Sequence, residues 1–391
     1  MLRDMRTIAA VTTSRADWGH LEPVLRALIA RGDVAVQLLV GGAHLDDRFG
    51  HTIDAIEAAG YDVAARIPFL QADDSDVAMG VAIGAATTGF SRALAKLRPD
   101  MLLLIADRYE MLAPAAAALA LRIPIAHIEG GEISEGAIDQ QVRDALTKMS
   151  HLHLVPTQAA AERVIAMGEE PWRVTVTGAP SLDHLVLDEL PSREAVAHAV
   201  GLSLEPAPVV VALHPTTMHR DTTDEAEVFF AAIERVEAPL VFCFPNADAG
   251  YSRIIELAES MCARRRDAVL KVNLDHLLYW SLLREAVVLA GNSSSGIMEA
   301  ASLNLPVVNV GIRQQGRTRA DNIVDVDADE SQIIDAIRDA IEQGSVEVMN
   351  PYGDGTASHA IVEVLVTAPD SEVLLLKDAG RQMQTLGRIG N

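Results

Sequence analysis

Apolar residues occur along this chain in short continuous runs, which alternate with longer segments where they recur every three or four positions. Continuous runs are typical of strands buried on both faces of a parallel sheet, and the wider spacing is typical of amphipathic helices. In the first half, the pattern predicts strands at 7–12, 34–40, 101–106, 125–128 and 153–155. It predicts helices at 21–30, 51–59, 77–97 and 113–120. This order favours a doubly wound α/β domain.

A second series of the same kind follows a segment at 180–191 that begins and ends with proline and reads as a linker. Its predicted strands are 209–213, 240–244, 269–272, 287–289 and 307–310, and its predicted helices are 193–200, 228–236, 254–264 and 333–341. We therefore expect an α/β protein with two Rossmann-like domains, at 1–185 and 186–368, and a tail at 369–391. The default site of such a protein is the cleft that the two domains face.

Charge and cysteine content narrow the class of protein. The chain has 391 residues and a net charge of −23, so it would be repelled by nucleic acid and by an anionic membrane. Its 2 cysteines exclude a disulfide scaffold and fit a reducing compartment. Because no long apolar segment resembles a signal peptide or a membrane span, we expect a cytoplasmic protein with neither nucleic acid nor membrane as a partner.

Carboxylates follow two neighbouring predicted strands. Asp107 comes directly after the strand at 101–106, Glu129 follows the strand at 125–128, and Asp139 lies a few residues further on. Open α/β sheets bind their ligands at the carboxyl ends of their strands. Carboxylates that converge in a cleft commonly transfer protons, so these residues are the candidate catalytic groups.

The segment 291–296, Gly-Asn-Ser-Ser-Ser-Gly, lies between an apolar run and a helical run at 297–302. Small residues at a helix N-terminus expose N–H groups and hydroxyls, which favour an anion such as a diphosphate. Glu299, one turn further on, could accept hydrogen bonds from a sugar diol. An ordinary capped helix is the alternative, with Ser294 or Ser295 satisfying free N–H groups. Three hydroxyls exceed what capping requires and favour the anion site.

Two further residues have a functional and a structural interpretation. Arg15, in the loop after the first strand, could donate two hydrogen bonds to a phosphate, or it could be a surface arginine paired with Asp17. His214 ends the strand at 209–213 and could assist departure of a leaving group, or it could be a structural loop histidine. The sequence leaves both choices open.

No pattern indicates a metal or a cofactor. The dinucleotide-binding glycine fingerprint and the P-loop lysine are absent, and the pair His151 and His153 lacks a zinc-type partner spacing. We therefore expect no bound metal and no nicotinamide.

Ten short motifs follow one another in order between about residue 7 and residue 365. They are at 13–17, 42–45, 106–110, 127–132, 136–139, 178–181, 244–246, 291–296, 311–314 and 350–355. Together these motifs resemble the hydrolysing UDP-N-acetylglucosamine 2-epimerases that supply N-acetylmannosamine for sialic-acid synthesis. His20 stands where the non-hydrolysing relatives carry lysine, which favours the hydrolysing branch.

The resemblance implies a fold of the glycosyltransferase B type, a UDP-sugar substrate, no cofactor, and a homodimer or homotetramer. It implies that Asp107, Glu129 and Asp139 are the catalytic carboxylates and that His214 is a catalytic histidine of the cleft. The residues that it implies for binding the UDP-sugar are Arg15, Asp17, His44, Arg143, Asn246, Ser293, Ser294, Ser295, Gly296, Glu299 and Arg313.

Inversion at C2 of an amino sugar breaks a C–H bond that no carbonyl activates. Without a nicotinamide, the remaining route expels UDP from C1 while a base removes the C2 proton, and water then adds to the resulting glycal. The same reaction on UDP-2,4-diacetamido-2,4,6-trideoxy-glucose is an alternative. The other alternative functions are a non-hydrolysing epimerase, a glycosyltransferase of similar fold and an inactive nucleotide-sugar sensor.

Overall fold

Two parallel sheets form the framework of the computed structural model, which describes residues 5–378 except 219, 220, 222, 246 and 273. The first sheet contains seven strands in the order β3-β2-β1-β4-β5-β6-β7, and the second contains six in the order β10-β9-β8-β11-β12-β13. The strands are β1 Arg6–Thr12, β2 Val34–Gly41, β3 Val63–Ile67, β4 Met101–Ile105, β5 Ile125–Ile128, β6 Leu152–Val155, β7 Val174–Val176, β8 Val209–Ala212, β9 Leu240–Cys243, β10 Ala268–Lys271, β11 Val288–Gly291, β12 Val307–Val310 and β13 Ile323–Val326.

Helices connect the strands and cover the sheets. They are α1 Arg15–Arg31, α2 Ile53–Ala58, α3 Asp76–Leu97, α4 Leu112–Leu121, α5 Asp139–Met149, α6 Gln158–Ala166, α7 His184–Leu187, α8 Arg193–Val200, α9 Asp224–Glu234, α10 Tyr251–Arg264, α11 His276–Glu285, α12 Ser294–Met298, α13 Glu330–Gln343, α14 Ala357–Thr367 and α15 Ser371–Leu375. The expected architecture, two parallel α/β domains of the glycosyltransferase B type, is confirmed.

The strand order positions the site. In the first sheet the order reverses between β1 and β4, and in the second it reverses between β8 and β11. At such switch points the connections leave on opposite faces of the sheet and a crevice opens beyond the strand ends. Arg15 is the first residue of α1, just after β1, and Asp107 lies in the loop after β4. The loops after β8 and β11 carry His214 and Ser293. The predicted site residues therefore lie where the topology opens the sheets.

Three strands that the apolar pattern did not predict, β3, β7 and β13, all lie at sheet edges. Strand β3 alternates between half-buried and exposed residues over most of its length, whereas β4 is buried throughout. An edge strand pairs on one side only and tolerates polar residues, so it lacks the continuous apolar run of a central strand.

Helix α14 crosses back from the second sheet to the first. Ile361, Val362 and Leu365 belong to the same buried cluster as Leu21 and Leu25 of α1. The Asp183 carboxylate, in the linker, accepts the N–H groups of Ala357 at 2.9 Å and Ser358 at 2.7 Å and so fixes the start of the helix. The domain bounds at 185 and 368 stay predictions, and by its packing this helix belongs to the first core.

The segment after α14 also lies on the first domain. The Arg173 guanidinium donates to the carbonyl oxygens of Leu374 at 2.9 Å and Leu376 at 2.8 Å. Lys377 pairs with the buried Glu169 at 2.5 Å. Polar contacts that are buried or partly buried therefore hold the described part of the expected tail against the first domain.

Among the described residues, α3 is the one helix that is long and apolar enough to cross a membrane by length and composition alone. Ala82, Ala86, Phe90 and Leu94 on one face of α3 are buried in the core of the first domain. One such helix is weak evidence for a membrane span, because core helices of globular proteins and signal sequences pass the same test.

Candidate active site

A cleft with about 630 Å³ of empty space lies between the two domains. All three predicted catalytic carboxylates line it, which brings together residues from the loop after β4, the end of β5 and the start of α5. The polar residues that line the cleft are Asp17, His20, Asp107, Arg108, Glu129, Glu132, Asp139, Arg143, Ser294, Arg313 and Arg317.

Asp107 lies between two guanidinium groups. The chain turns at Ala106, whose φ of 60° is left-handed, and this turn directs the next residue away from the strand. Oδ2 of Asp107 accepts a hydrogen bond from Nη2 of Arg143, and Nη2 of Arg317 lies 3.5 Å from the same oxygen. Arg143 is on α5 of the first domain, whereas Arg317 comes from the second domain.

Glu129 carries an imidazole partner. Nδ1 of His20 lies 2.7 Å from Oε1 of Glu129, and Nε2 of His20 lies 3.5 Å from Oε1 of Glu299 in the second domain. Burial alone would lower the pKa of His20, but the charges of Glu129 and Glu299 and the hydrogen bond to Glu129 outweigh it and raise the pKa to about 9. An imidazolium therefore connects carboxylates of both domains at neutral pH.

Asp139 is the first residue of α5 and lies opposite Arg313. Nη2 of Arg313 is 3.4 Å from Oδ2 of Asp139. Burial raises the pKa of Asp139, Arg313 opposes the shift, and Asp248 adds to it. This environment favours the protonated carboxyl, which is the form that can deliver a proton.

The serine-rich loop begins with a close backbone approach. Gly291 has a φ of 136°, and a Cβ there would lie 2.2 Å from the carbonyl oxygen of Ala212. The next side chain, Asn292, accepts the N–H of His214 at 2.7 Å and donates to the carbonyl oxygen of His214 at 2.9 Å. These contacts hold the ends of β8 and β11 together, so His214 and the serine loop form one unit.

Helix α12 begins at Ser294 rather than at the predicted residue 297, because Ser293 takes the N-cap position. Burial raises the pKa of the Tyr279 phenol, and hydrogen bonds with Ser293 and Ser295 oppose the shift. Two of the three hydroxyls thus have a protein partner, while Ser294 lines the cleft. Gly296 lets the helix pack on β12, because a Cβ there would lie 2.8 Å from Cγ1 of Val307.

Arg15 reaches toward the second domain. Burial lowers the pKa of Arg15, while Cys243 at the end of β9 opposes the shift. The pKa of the Cys243 thiol is raised to about 12 by burial, against the effect of Arg15. His214 is half-buried, and its desolvation together with the charges of Arg313 and Arg108 lowers its pKa well below the usual range. A neutral imidazole therefore stands near two arginines.

Two predicted substrate-binding residues, Asp17 and His44, have hydrogen-bond partners inside the first domain. The Asp17 carboxylate accepts four hydrogen bonds from the N–H and hydroxyl groups of Thr13 and Ser14, at 2.7–2.9 Å. His44 is buried between the hydroxyls of Thr12 at 2.9 Å and Thr52 at 2.6 Å. Burial lowers the pKa of His44 to about 4. Both residues shape the turn at 12–14 that precedes Arg15. Asn246 lies outside the described residues.

A buried ion pair between the domains was not predicted from the sequence. Arg108, next to Asp107, lies 3.0 Å from Glu110 of its own loop and 3.0 Å from Asp248 of the second domain. The sequence shows that Arg108 and Glu110 are close along the chain. It does not show that Asp248, after β9, lies beside Arg108 in the folded protein.

The described residues contain one grouping with the composition of a metal site, formed by Glu22, His184 and His276, and none of its members lines the cleft. Nδ1 of His184 lies 2.8 Å from Asp188, and Nε2 lies 2.9 Å from the carbonyl oxygen of Gly19. Both ring nitrogens thus already have partners in the protein.

Comparison with known proteins decides the family. The model of the UDP-N-acetylglucosamine 2-epimerase family matches residues 26–366. The chain belongs to this family. The predicted resemblance is thereby confirmed, and as a member of the family the protein is a UDP-sugar 2-epimerase.

Relatives in this epimerase family cover almost the whole chain. A UDP-N,N'-diacetylbacillosamine 2-epimerase (hydrolyzing) from Legionella pneumophila is 35% identical over 379 residues, which are 95% of this chain and 99% of the relative. A UDP-N-acetylglucosamine 2-epimerase from Neisseria meningitidis is 31% identical over 92% of this chain and 95% of its own length.

Solved structures of epimerases share the fold. The structure of a UDP-GlcNAc 2-epimerase from Neisseria meningitidis bound to UDP-GlcNAc superposes with a TM-score of 0.76 at 17% identity, and covers 92% of this chain and 99% of that chain. The complex of the Methanocaldococcus jannaschii enzyme with UDP-GlcNAc and UDP gives the same TM-score of 0.76 at 17% identity, with the same coverage of 92% and 99%. Both confirm the two-domain architecture of this epimerase.

Proposed function

We propose that this protein is a hydrolysing UDP-N-acetylglucosamine 2-epimerase, which converts UDP-N-acetylglucosamine and water into UDP and N-acetylmannosamine. The observation that carries the proposal is the convergence of Asp107, Glu129 and Asp139 in one cleft, opposite the serine loop of the second domain. The chemistry requires proton-transfer groups on one side of the sugar and stabilisation of the leaving diphosphate on the other.

The reaction would proceed in two halves. A carboxylate removes the C2 proton while the C1–O bond to UDP breaks, which leaves a double bond between C1 and C2. Water then adds its oxygen to C1, and an acid delivers a proton to C2 from the opposite face. Each proton-transfer group typically contributes ~10²–10⁴-fold to the rate.

The surroundings of the carboxylates support a division of these tasks. Glu129 accepts a hydrogen bond from the charged His20, and a carboxylate held in this way inside the cleft suits a base. Burial raises the pKa of Asp139, which suits a proton donor. Asp107, held between two arginines, would keep a negative charge near C1, where positive charge develops in the transition state.

The second domain supports departure of UDP. Ser294 lies in the first turn of α12, and Arg313 lies on the same side of the cleft. Arg15 is presented across the cleft from the first domain. Hydroxyl and guanidinium donors fixed at a leaving diphosphate stabilise the charge that it acquires.

A second candidate substrate is UDP-N,N'-diacetylbacillosamine. The observation that favours it is the 35% identity, over 95% of this chain, to a hydrolysing epimerase of that name. The same carboxylates would serve, because the two sugars differ only at C4 and C6. The names of this relative and of the Campylobacter jejuni relative, 33% identical over 82% of the chain, also support the hydrolysing reaction.

The deciding experiment incubates the protein with UDP-N-acetylglucosamine, UDP-N,N'-diacetylbacillosamine and UDP-glucose, and follows UDP release and the free sugar by NMR. We expect release of UDP and the C2-inverted amino sugar with no added nicotinamide and after treatment with a chelator. An epimerised sugar still attached to UDP would show a non-hydrolysing enzyme. Loss of turnover on chelation, restored by one metal, would contradict the metal-free mechanism.

A further inference from the structure

The loop after β12 reaches out of the second domain and touches the first. The N–H of Glu135 donates to the carbonyl oxygen of Gln315 at 3.0 Å. A Cβ on Gly316 would lie 2.3 Å from Cγ2 of Ile133, and a Cβ on Gly136 would lie 2.3 Å from the carbonyl oxygen of Ile312. Gly136 of the first domain and Gly316 of the second have no side chain, and this lets the two domains come into contact at this loop.

Arg317 extends from this loop into the first domain's half of the cleft. Its Nε lies 3.1 Å from Oγ of Ser134, and its Nη2 lies 3.5 Å from Oδ2 of Asp107. The third contact is with its own domain, since Nη1 lies 3.2 Å from the sulfur of Met298. The side chain is only 8% exposed, so its charge is largely removed from water.

Arg317 and Arg143 share the same two partners. Nη2 of Arg143 contacts both Oδ2 of Asp107 and Oγ of Ser134, the latter at 3.2 Å. Two buried guanidinium groups so close repel each other, and the Asp107 carboxylate offsets this repulsion. Arg143 and Asp107 both belong to the first domain, so their contact does not depend on how the two domains are oriented. Arg317 belongs to the second domain and can contact Asp107 only while the loop after β12 lies against the first domain.

We propose that Arg317 is a positioning residue that fixes and keeps ionised the Asp107 carboxylate when the two domains are closed. Closing the cleft over a substrate then completes the charge pattern around Asp107, and opening it removes one of two positive charges. The carboxylate is thus prepared for chemistry only in the closed cleft. This inference rests on the proposed function in that it takes Asp107 to act on the sugar.

The test compares Arg317→Gln and Arg317→Lys with the control Arg338→Gln. Arg338 lies on α13, where its exposed guanidinium pairs with Asp335 at 2.9 Å. For Arg317→Gln we expect kcat to fall about tenfold to a hundredfold, as for loss of a hydrogen bond between charged groups, with little change in KM. Arg317→Lys retains the charge and should recover part of the loss, and Arg338→Gln should keep the kcat of the wild type.

The pH dependence distinguishes positioning from a general loss of structure. Among the described residues, the charged groups that contact Asp107 are Arg143 of α5 and Arg317. Removing one positive charge favours the protonated carboxyl, so the acid limb of the kcat profile should move to higher pH in Arg317→Gln and less in Arg317→Lys. Wild-type kcat and an unmoved acid limb in Arg317→Gln would overturn the proposal.

A measurement without turnover separates this proposal from the proposed function. Aspartate labelled with ¹³C at Cγ reports the titration of Asp107 by NMR in the UDP-bound protein, and Asp107→Asn assigns its signal. The Asp107 signal should titrate at higher pH in Arg317→Gln than in the wild type. An unchanged titration would overturn the role of Arg317 even if the enzyme is active. A shifted titration in a protein that releases no UDP from any UDP-sugar would support that role and refute the proposed function.

Discussion

Nδ1 of His20 donates a hydrogen bond of 2.7 Å to Oε1 of Glu129, across 109 positions of sequence. The other ring nitrogen faces Glu299 of the opposite domain at 3.5 Å. One imidazolium therefore orients a candidate base and contributes to holding the two domains together across the cleft.

The His20 pair should make stability depend on pH. The pKa of His20 is raised to about 9 in the folded protein, while an unfolded histidine titrates near 6.5. The stabilisation is thus fully present below about pH 6.5 and is lost as the pH rises through about 9. Urea unfolding at pH 6 and pH 9.5 should show that His20→Gln removes about 1.5–3 kcal/mol at the lower pH and little at the higher one.

The exposed His359 on α14 offers a matched control for this measurement. His359→Gln should leave the pH dependence of unfolding unchanged. If His20→Gln and the wild type lost stability in parallel between pH 6 and pH 9.5, the ion pair would not exist in solution.

The three cleft carboxylates should be required for chemistry rather than for nucleotide binding. Amide replacements keep the shape and remove the titrating group, so Asp107→Asn, Glu129→Gln and Asp139→Asn should each lower kcat by ~10² or more. The affinity for UDP, measured by calorimetry, should stay near that of the wild type. Incorporation of solvent deuterium at C2 at the wild-type rate in all three variants would exclude them from proton transfer.

Arg15 and Ser294 should bind the diphosphate from opposite sides of the cleft. Loss of a hydrogen bond to a charged group costs about 1.5–3 kcal/mol, so Arg15→Ala and Ser294→Ala should each raise the Kd for UDP roughly tenfold to a hundredfold. Calorimetry measures this directly. Ser331→Ala, at an exposed position near the start of α13, should have no effect, and unchanged affinity in both test variants would place the nucleotide elsewhere.

Gly136 should be needed for the domains to meet. A methyl group there would lie 2.3 Å from a backbone oxygen of the opposite domain, so Gly136→Ala should hold the cleft partly open. We expect a folded protein with lower kcat/KM and a larger radius of gyration in the presence of UDP, measured by small-angle scattering. Gly80→Ala is the control, because no atom lies within 4 Å of its added methyl group. Equal scattering and activity for the two variants would show that Gly136 does not govern closure.

Much of the fold could be predicted from the apolar pattern, because central strands of a parallel sheet are buried on both faces and so carry continuous apolar runs. The edge strands β3, β7 and β13 could not be predicted in this way. An edge strand is exposed along its unpaired side, so its sequence need not be continuously apolar. Helix α14 could be recognised as apolar, but nothing in its sequence says that it packs on α1 rather than on its neighbours in the second domain.

The sequence predicts those site residues that stand at the carboxyl end of a recognisable strand. Asp107 and Glu129 each stand directly after a buried run, and topology then places both at the same edge of the sheet. Partners supplied across the cleft were not predictable in this way. Arg317 lies 210 positions from Asp107, and only the meeting of two separately folded domains makes them neighbours.

The return of α14 to the first sheet has a consequence for how the chain is made. Ile361, Leu365 and Leu374 fill part of the first core, yet a ribosome adds them after the whole second sheet has been synthesised. The N-terminal half therefore leaves the ribosome with an apolar groove along α1 that stays unfilled until α14 has been synthesised. A chaperone that shields apolar surfaces would find its binding site there during that interval.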